Sequence, residues 1–202
     1  MRQRALLERE NLYWIIGGAG SGKTVISRSL SEQYSIPVYD MDACIYGTYH
    51  SRFAREHHPV NSAWSLSENG LAWLLDLTWD EFNNFNRAAL VEYLSLLSED
   101  ICTSYPNSRL IIDGGVCNPS ILAQVFSPHQ IICLAIPEQS STDIWEGIDE
   151  RKSMKESVCQ LPSPKEAWQK FLEFDSKITS TILKECRESD INVLSQNKRL
   201  AG

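Results

Sequence analysis

An eight-residue segment near the start of the chain carries the clearest chemical signal. It reads Gly17-Gly18-Ala19-Gly20-Ser21-Gly22-Lys23-Thr24 and fits the spacing G-x-x-x-x-G-K-[ST]. A β-favouring apolar run, residues 12–16, precedes it, and a helix-forming stretch follows. Glycines let backbone N–H groups approach an anion closely, and a helix N-terminus adds a partial positive charge. We call residues 17–24 the glycine loop. Its pattern predicts a polyphosphate site; the alternative is a glycine-rich turn before an ordinary helix.

Two side chains of the glycine loop suit a nucleoside triphosphate. The Lys23 ammonium would bridge the β- and γ-phosphates, and the Thr24 hydroxyl would ligate Mg²⁺. Motifs that mark a GTPase or direct the γ-phosphate to water are missing. Residues 197–200 read NKRL, without the aspartate of N-K-x-D, and Asp113 is followed by Gly114-Gly115 rather than by a glutamate. The sequence therefore favours an acceptor other than water.

A pair of carboxylates, Asp40 and Asp42, follows the second predicted strand. Alternate residues that leave a strand point the same way, so both carboxylates are expected to face the γ-phosphate side of a cleft. The alternative is that aspartates at strand ends only cap the helices that follow them.

These residues need a scaffold of short apolar strands separated by helices. Strands are predicted at 12–16, 36–40, 110–113, 130–136 and 191–194, and helices at 24–33, 86–104, from 118 and at 163–187. Capping boxes are predicted at Thr78 with Glu81 and at Ser163 with Glu166. Strands that alternate with helices predict an α/β domain whose five-stranded, mainly parallel sheet is covered on both faces.

Two long segments exceed what a connection between strands needs. Residues 44–104 and 137–163 are expected at the carboxyl ends of the strands, where open α/β sheets bind ligands. The first is rich in aromatic residues, which would line an acceptor pocket or, as we favour, form the core of a small helical subdomain. Its Arg52 and Arg55 suit an anionic acceptor group. The second contains a basic patch, residues 150–155, for which the alternative is a solvated helix face.

Composition argues against several classes of partner. The chain of 202 residues is long enough for one domain, and its formal net charge of −7 disfavours sequence-independent nucleic-acid binding, which depends on Lys and Arg. Its apolar runs are far shorter than the roughly 20 residues that span a bilayer, and residues 1–10 lack the apolar stretch of a secretory signal. We therefore expect no nucleic-acid or membrane partner and a cytoplasmic location. The oligomeric state stays open.

The glycine loop and the Asp40-x-Asp42 pair resemble those of the P-loop small-molecule kinases, such as shikimate kinase and gluconate kinase and, more distantly, the adenylate-kinase-like enzymes. The resemblance follows the strand skeleton over nearly the whole chain but is specific only at these two motifs. It implies a three-layer P-loop NTPase fold with strand order 2-3-1-4-5. Within one domain it implies a core (11–43, 105–136 and 164–202), a helical acceptor-side insertion (44–104) and a lid region (137–163).

The resemblance also implies roles for individual residues. The glycine loop would bind ATP. The residues implied around Mg²⁺ are Thr24, Asp40 and Asp113. The residues implied near the substrate are Asp42, Gly114 and Gly115. Asp42 would be the base for the acceptor hydroxyl, Arg151 in the lid would neutralise charge on the transferring phosphoryl group, and residues 195–197 fall where relatives enclose the adenine.

The sequence thus predicts an ATP- and Mg²⁺-dependent phosphotransferase that acts on a hydroxyl group of a small-molecule acceptor. Its predicted catalytic residues are Lys23, Asp42 and Arg151. Two alternatives stay open: a kinase of a nucleotide-sugar, as in the toxin-type P-loop kinases, and a regulatory nucleotide-binding protein with little turnover. The carboxylate pair weighs against the second, because binding alone does not require it.

Overall fold

A five-stranded parallel sheet forms the centre of the protein. The computed structural model describes residue 6 and residues 9–136, 139–147 and 151–195. The strands are β1 (Leu12–Gly17), β2 (Val38–Asp40), β3 (Leu110–Asp113), β4 (Ile131–Ala135) and β5 (Asn192–Ser195). Neighbouring strands are parallel, in the order β2-β3-β1-β4-β5. The predicted α/β class and strand order are confirmed, and all five described strands run parallel rather than most of them.

Helices of very different length surround the sheet. They are α1 (Lys23–Tyr34), α2 (Met41–Ala43), α3 (Pro59–Ser65), α4 (Gly70–Asp76), α5 (Trp79–Ser104), α6 (Pro119–Leu122), α7 (Ser141–Glu146), α8 (Lys152–Cys159) and α9 (Pro164–Glu188). A π-helical turn, Cys44–Thr48, and a 3-10 turn, His50–Arg52, continue from α2, and a 3-10 turn, Pro128–Gln130, precedes β4. Among the helices described, none combines the length and apolarity needed to cross a membrane.

The central strands β1, β3 and β4 are largely buried on both faces, which explains why they read as nearly continuous apolar runs. Adjacent residues on a strand point to opposite faces. Trp14 and Ile16 of β1 therefore join the main hydrophobic core, whereas Ile15 packs with Ile111 and Leu134 on the other face, against side chains of α1. Only the strand ends are left for polar chemistry.

One of the two predicted capping boxes is present and the other is wrong. The Thr78 hydroxyl accepts a hydrogen bond from the Glu81 backbone N–H at 3.3 Å, and the Glu81 carboxylate accepts one from the Thr78 N–H at 2.8 Å. Ser163 instead has a left-handed backbone (φ 52°) and makes no side-chain cap to α9. A capping hydroxyl needs extended backbone at the N-cap, so this conformation turns the Ser163 side chain away from the N–H of Glu166.

The aromatic side chains of residues 44–104 pack mainly on one another. The ring centroids of Trp64 and His50 are 4.7 Å apart, and those of Trp73 and Phe85 are 5.1 Å apart. Trp64 is buried. Tyr46 differs: its ring lies 6.1 Å from that of Trp64, yet 69% of the residue is exposed. The buried rings thus serve as core, while Tyr46 presents an open aromatic face.

A second hydrophobic cluster joins both long segments to α9. Leu75 and Phe82 from residues 44–104 pack with Val158 from residues 137–163 and with Phe174 of α9. The Phe82 and Phe174 rings are 4.7 Å apart. The two segments therefore share one apolar contact with the same helix.

A buried glutamate fastens the start of α3 to α5. The Glu92 carboxylate accepts hydrogen bonds from the backbone N–H groups of Val60 and Asn61, each at 2.9 Å, and from the Asn61 amide at 2.8 Å. Glu92→Ala leaves these donors unpaired, so we expect it to lower the free energy of unfolding by about 3 kcal/mol. Urea denaturation checks this, with Glu32→Ala on the exposed surface of α1 as the control. Equal denaturation midpoints for the two variants would contradict the proposed anchoring.

Candidate active site

The glycine loop connects the carboxyl end of β1 to the first turn of α1. Its backbone is left-handed at Gly20 and Gly22 (φ 76° and 79°), a conformation that glycine adopts without strain. Gly22 is the N-cap of α1 and provides no side-chain cap, and the Ile26 N–H is bonded to the Gly22 carbonyl at 3.0 Å. The N–H groups of the three preceding helix residues have no intrahelical acceptor. They remain available to an anion.

Neighbouring helices hold the glycine loop in place. A Cβ atom at Gly20 would come within 3.2 Å of the Ile144 side chain of α7, and one at Gly18 would overlap the Thr179 side chain of α9. The Lys23 side chain folds back across the loop, and its Nζ donates to the Gly18 carbonyl at 3.2 Å. The loop therefore lies between α7 and α9 with an ammonium group over its backbone.

Asp113 lies at the end of β3, beside the first turn of α1. The strand register pairs it with Asp40 of β2. It is 4% exposed, and its Oδ1 has no hydrogen-bond partner among the described residues. Burial raises the pKa of the Asp113 carboxyl, while the Thr24 hydroxyl and the Lys23 ammonium act to lower it. The structure thus brings together Thr24, Asp40 and Asp113, the three residues that the family resemblance implies around Mg²⁺.

Asp40 ends β2 and caps the short helix α2. Its Oδ1 accepts a hydrogen bond from the Ala43 backbone N–H at 2.9 Å. Asp40 therefore does cap a helix, as the alternative interpretation of the carboxylate pair expects. Its charge nevertheless adds to burial in raising the pKa of Asp42 and Asp113, so all three carboxylates lie within electrostatic range.

Asp42 lies in α2, not on the strand, and the expected alternation from β2 does not reach it. Its Oδ1 accepts a hydrogen bond from the Gly115 N–H at 2.9 Å. Both Gly114 and Gly115 have left-handed backbones (φ 78° and 72°), and a Cβ atom would overlap the Asp42 carboxylate at the first position and the Met41 side chain at the second. The two glycines therefore hold Asp42 in a defined orientation.

The Asp42 carboxylate is exposed to solvent, yet enough protein surrounds it for desolvation to raise its pKa. The carboxylate therefore meets solvent on one side and the Gly114-Gly115 turn on the other. The Lys23 ammonium opposes the desolvation and lowers the same pKa. Two of the three predicted catalytic residues therefore lie within electrostatic range of each other.

The third predicted catalytic residue, Arg151, lies beside α7. Its guanidinium carbon is 4.9 Å from the ring centroid of Trp145, which follows the Ile144 that contacts the glycine loop. In the same basic patch, the Lys155 ammonium pairs with Glu146 at 2.8 Å and thereby ties α8 to α7. Arg151 is thus attached to the helix that borders the loop.

The predicted contacts to an acceptor and to adenine have different outcomes. Arg52 is held by two carboxylates of α5, those of Asp100 at 2.6 Å and Glu99 at 3.2 Å, so its charge is already balanced. Its expected role as an anion anchor gains no support from this geometry. Arg55 is exposed, and its role stays a prediction. Of residues 195–197, the first ends β5 and the other two lie outside the described residues.

A buried polar network next to Gly115 was not predicted. Glu185 of α9 accepts hydrogen bonds from Arg87 at 2.7 Å, from the Ser120 hydroxyl at 2.7 Å and from the Asn118 amide at 3.2 Å. It thereby joins α9 to α5 and to the loop after β3. A signal for it exists: Asp175 and Glu185 are acids on a helix face that also carries Ile182, and a charge in an apolar stripe indicates a buried polar partner.

Comparisons with known proteins give the fold and nothing more specific. No family model matches the chain, and no curated protein matches it by sequence. The structure is similar to the crystal structure of TT1252 from Thermus thermophilus, with a TM-score of 0.52, covering 94% of this chain and 90% of that chain. Because the two sequences are 17% identical, this similarity shows a shared α/β fold and leaves the activity to the chemistry of the site.

Proposed function

We propose that the protein is an ATP- and Mg²⁺-dependent phosphotransferase of the P-loop class that transfers the γ-phosphate to a hydroxyl group of a small molecule. The position of Lys23 carries the proposal. Its ammonium donates to Gly18 within the glycine loop, and its charge opposes the burial that raises the pKa of Asp42 and Asp113. One cation therefore lies between a phosphate-binding backbone and the carboxylates suited to a metal ion and an acceptor.

The glycine loop suits a polyphosphate because its hydrogen-bonding groups are donors. The first-turn N–H groups of α1 lack intrahelical acceptors, and the buried Ser21 hydroxyl has no partner within the described ranges. Side chains at Gly18 or Gly20 would meet α9 or α7. These features support ATP phosphates, held by the amides and Lys23, as the ligand.

Mg²⁺ suits the neighbouring carboxylates if phosphate oxygens complete its coordination. In the part of the chain that the structure describes, no group of three or more His, Cys, Asp or Glu side chains is arranged to hold a metal ion. Mg²⁺ at phosphate sites typically takes one or two carboxylates together with phosphates and water. Thr24, Asp113 and Asp40 would hold it, and the unpartnered Asp113 Oδ1 supports this fit. When bound, it would neutralise charge on the β- and γ-phosphates.

The protein's own side chains would do the remaining work. Asp42, oriented by the Gly115 N–H, would accept the proton of the acceptor hydroxyl. Arg151 would bring its charge to the transferring group when α7 and α8 close on the glycine loop. The same closure would exclude water and limit hydrolysis of ATP.

The proposal is tested by measuring ADP release from ATP and Mg²⁺ with a panel of sugars, nucleosides, hydroxy acids and nucleotide-sugars. Release that one small-molecule acceptor stimulates, with the phosphorylated product identified by mass spectrometry, supports it. Stimulation restricted to nucleotide-sugars would favour the toxin-type alternative. Nucleotide binding without stimulation by any acceptor would favour the regulatory alternative and contradict the proposal.

The raised pKa of Asp42 predicts an acid limb in the pH profile of transfer. Asp42 acts as a base only when deprotonated, and burial moves its pKa upward. We expect kcat/KM for the acceptor to fall about ten-fold per pH unit below that pKa, at a higher pH than the value of about 3.9 for an ordinary aspartate. Initial rates from about pH 4 to pH 8, with tryptophan fluorescence confirming the folded state, measure the limb. A profile that stays flat across this range would argue against Asp42 as the base.

A further inference from the structure

The space beside Asp42 specifies a class of acceptor, and we propose that the acceptor carries a protonated amine in addition to its hydroxyl groups. This inference rests on the proposed function, because it concerns the acceptor side of the same site. The residues that carry it are Tyr46, Asn118, Asp175 and Glu185.

Tyr46 presents an exposed aromatic face near Asp42. The residue is 69% exposed, and desolvation by the neighbouring protein raises the pKa of its phenol. After desolvation, Cys117 and the Asp42 carboxylate also act to raise this pKa, so the Tyr46 hydroxyl lies within electrostatic range of both groups. An open aromatic face next to a carboxylate attracts a cation.

Asn118 supplies a buried hydrogen-bond acceptor that has no donor. Its Nδ2 donates to Asn83 Oδ1 at 2.9 Å and to Glu185 Oε1 at 3.2 Å. These two bonds fix the orientation of the amide, and its Oδ1 is buried with no partner among the described residues. Asn118 follows Gly115, the residue that binds Asp42, by three positions. An unpaired acceptor is thus placed on the loop that orients the predicted base, where a donor on a ligand would satisfy it.

Asp175 supplies a second acceptor of this kind from α9. It is 8% exposed, and its Oδ2 has no partner in the described ranges. It lies one helical turn before Thr179, whose side chain borders Gly18, and residues four apart share a helix face. Asp175 therefore lies on the same side of α9 as the residue that borders the glycine loop. Its charge and that of Asp42 both add to burial in raising the pKa of Cys117, so the two acids lie within electrostatic range of the same thiol.

The charge of this space favours a cation over an anion. The carboxylates within electrostatic range of Asp42 or of Cys117 include those of Asp113, Asp175 and Glu185. Lys23 is directed to the Gly18 carbonyl and would be used by the phosphates, as would Arg151 after closure. Arg87 is paired with Glu185 at 2.7 Å. Bound ATP would add further negative charge even with its metal ion. A carboxylate on the acceptor would be repelled there, whereas an amine would be attracted.

A protonated amine also matches the hydrogen-bonding groups. It offers N–H donors and no acceptor, which complements the unpaired oxygens of Asn118 and Asp175. Both oxygens are closed off from bulk solvent. A donor would therefore reach them only when the site opens to admit a ligand and then closes around it. Hydroxyl groups alone would satisfy the oxygens but would leave the excess of carboxylates unbalanced.

Three sugars of one carbon skeleton test the proposal by isothermal titration calorimetry on the full chain with ADP and Mg²⁺ present: glucosamine, glucose and gluconate. We expect glucosamine to bind at least about ten-fold more tightly than gluconate, with glucose between them. Asp175→Asn should remove about ten-fold of this preference, because it keeps the shape and loses the charge. Glu173→Gln is the matched control on the same helix, since Glu173 is 56% exposed and pairs with Lys177. It should leave the preference unchanged.

Several results would overturn the inference: glucosamine failing to bind, the three sugars binding equally, or Asp175→Asn keeping the full preference. If a thermal melt shows that Asp175→Asn does not fold, Tyr46→Ala decides, because this exposed residue can be truncated without opening the core. Unchanged glucosamine affinity in Tyr46→Ala would then reject the proposal. Failure of the proposed function would give a different result, namely that the wild-type chain does not bind ADP. In that case the sugar titrations, repeated without nucleotide, still measure the preference for a positively charged sugar.

Discussion

Replacing Lys23 with alanine is expected to lower phosphoryl transfer by at least about 100-fold and to weaken ATP binding by about ten-fold or more. The Lys23 ammonium lies over the glycine loop, bonded to Gly18 at 3.2 Å, and no other group in the loop carries a positive charge. It would contact phosphate oxygens in the ground state and stabilise their charge more strongly during transfer. The variant would therefore lose both affinity and rate.

Fluorescent ATP analogues measure the loss of binding, and ADP release with the best acceptor of the panel measures the loss of transfer. Lys184→Ala is a suitable control, because Lys184 is a lysine of α9 whose side chain is 73% exposed and whose partner Glu188 is 3.8 Å away. Surface pairs of this kind contribute little to stability. Wild-type binding and turnover in Lys23→Ala would remove the basis for assigning the glycine loop to a nucleotide.

Asp42→Asn is expected to leave ATP binding intact and to impair phosphoryl transfer to the acceptor. Asparagine keeps an oxygen for the Gly115 N–H, so the turn after β3 stays in place, but the amide cannot take up a proton. ATP binding should persist, while transfer to the acceptor falls by at least about 100-fold, the typical contribution of a positioned base. Single-turnover transfer with saturating ATP is the measurement that isolates this step.

Asp76→Asn serves as the control for this substitution, because Asp76 is exposed at the end of α4. An acid limb in the pH profile that disappears in Asp42→Asn would attribute the titration to Asp42 itself. If instead Asp42→Asn transfers phosphate at the wild-type rate, Asp42 is not the base, and its bond to Gly115 serves the structure of the loop.

The parts of the fold that were predictable are those with local causes. The strands were found because burial on both faces demands continuous apolar runs such as those around Trp14 and Ile111. The glycine loop was found because its spacing follows from backbone geometry within eight residues. The Ser163 capping box failed because the pattern of residue types does not determine the backbone conformation at the N-cap, which is left-handed here.

The acceptor side was less predictable because its contacts join distant segments. Gly115 is 73 positions from Asp42, and Glu185 is 67 positions from Asn118. No periodic pattern in a single sequence specifies which of 26 acidic residues will meet which amide. Arg52 illustrates the same limit. An arginine can bind an anionic ligand or pair with carboxylates of the protein, and only the packing of the folded chain shows that Arg52 pairs with Glu99 and Asp100.

The continuity of helix α9 bears on how the binding of one ligand would affect the binding of a second. It is one uninterrupted helix of 25 residues that carries Asp175, Thr179 and Glu185. A regular helix resists bending over three turns. If binding of a ligand moved Asp175, Thr179 would therefore move against Gly18, and Glu185 would move the loop to which it is bonded. Any factor by which nucleotide tightens the binding of an acceptor must equal the factor by which the acceptor tightens the binding of nucleotide. If ATP and an acceptor bind as proposed, the helix would act as a rigid connection between their two binding sites.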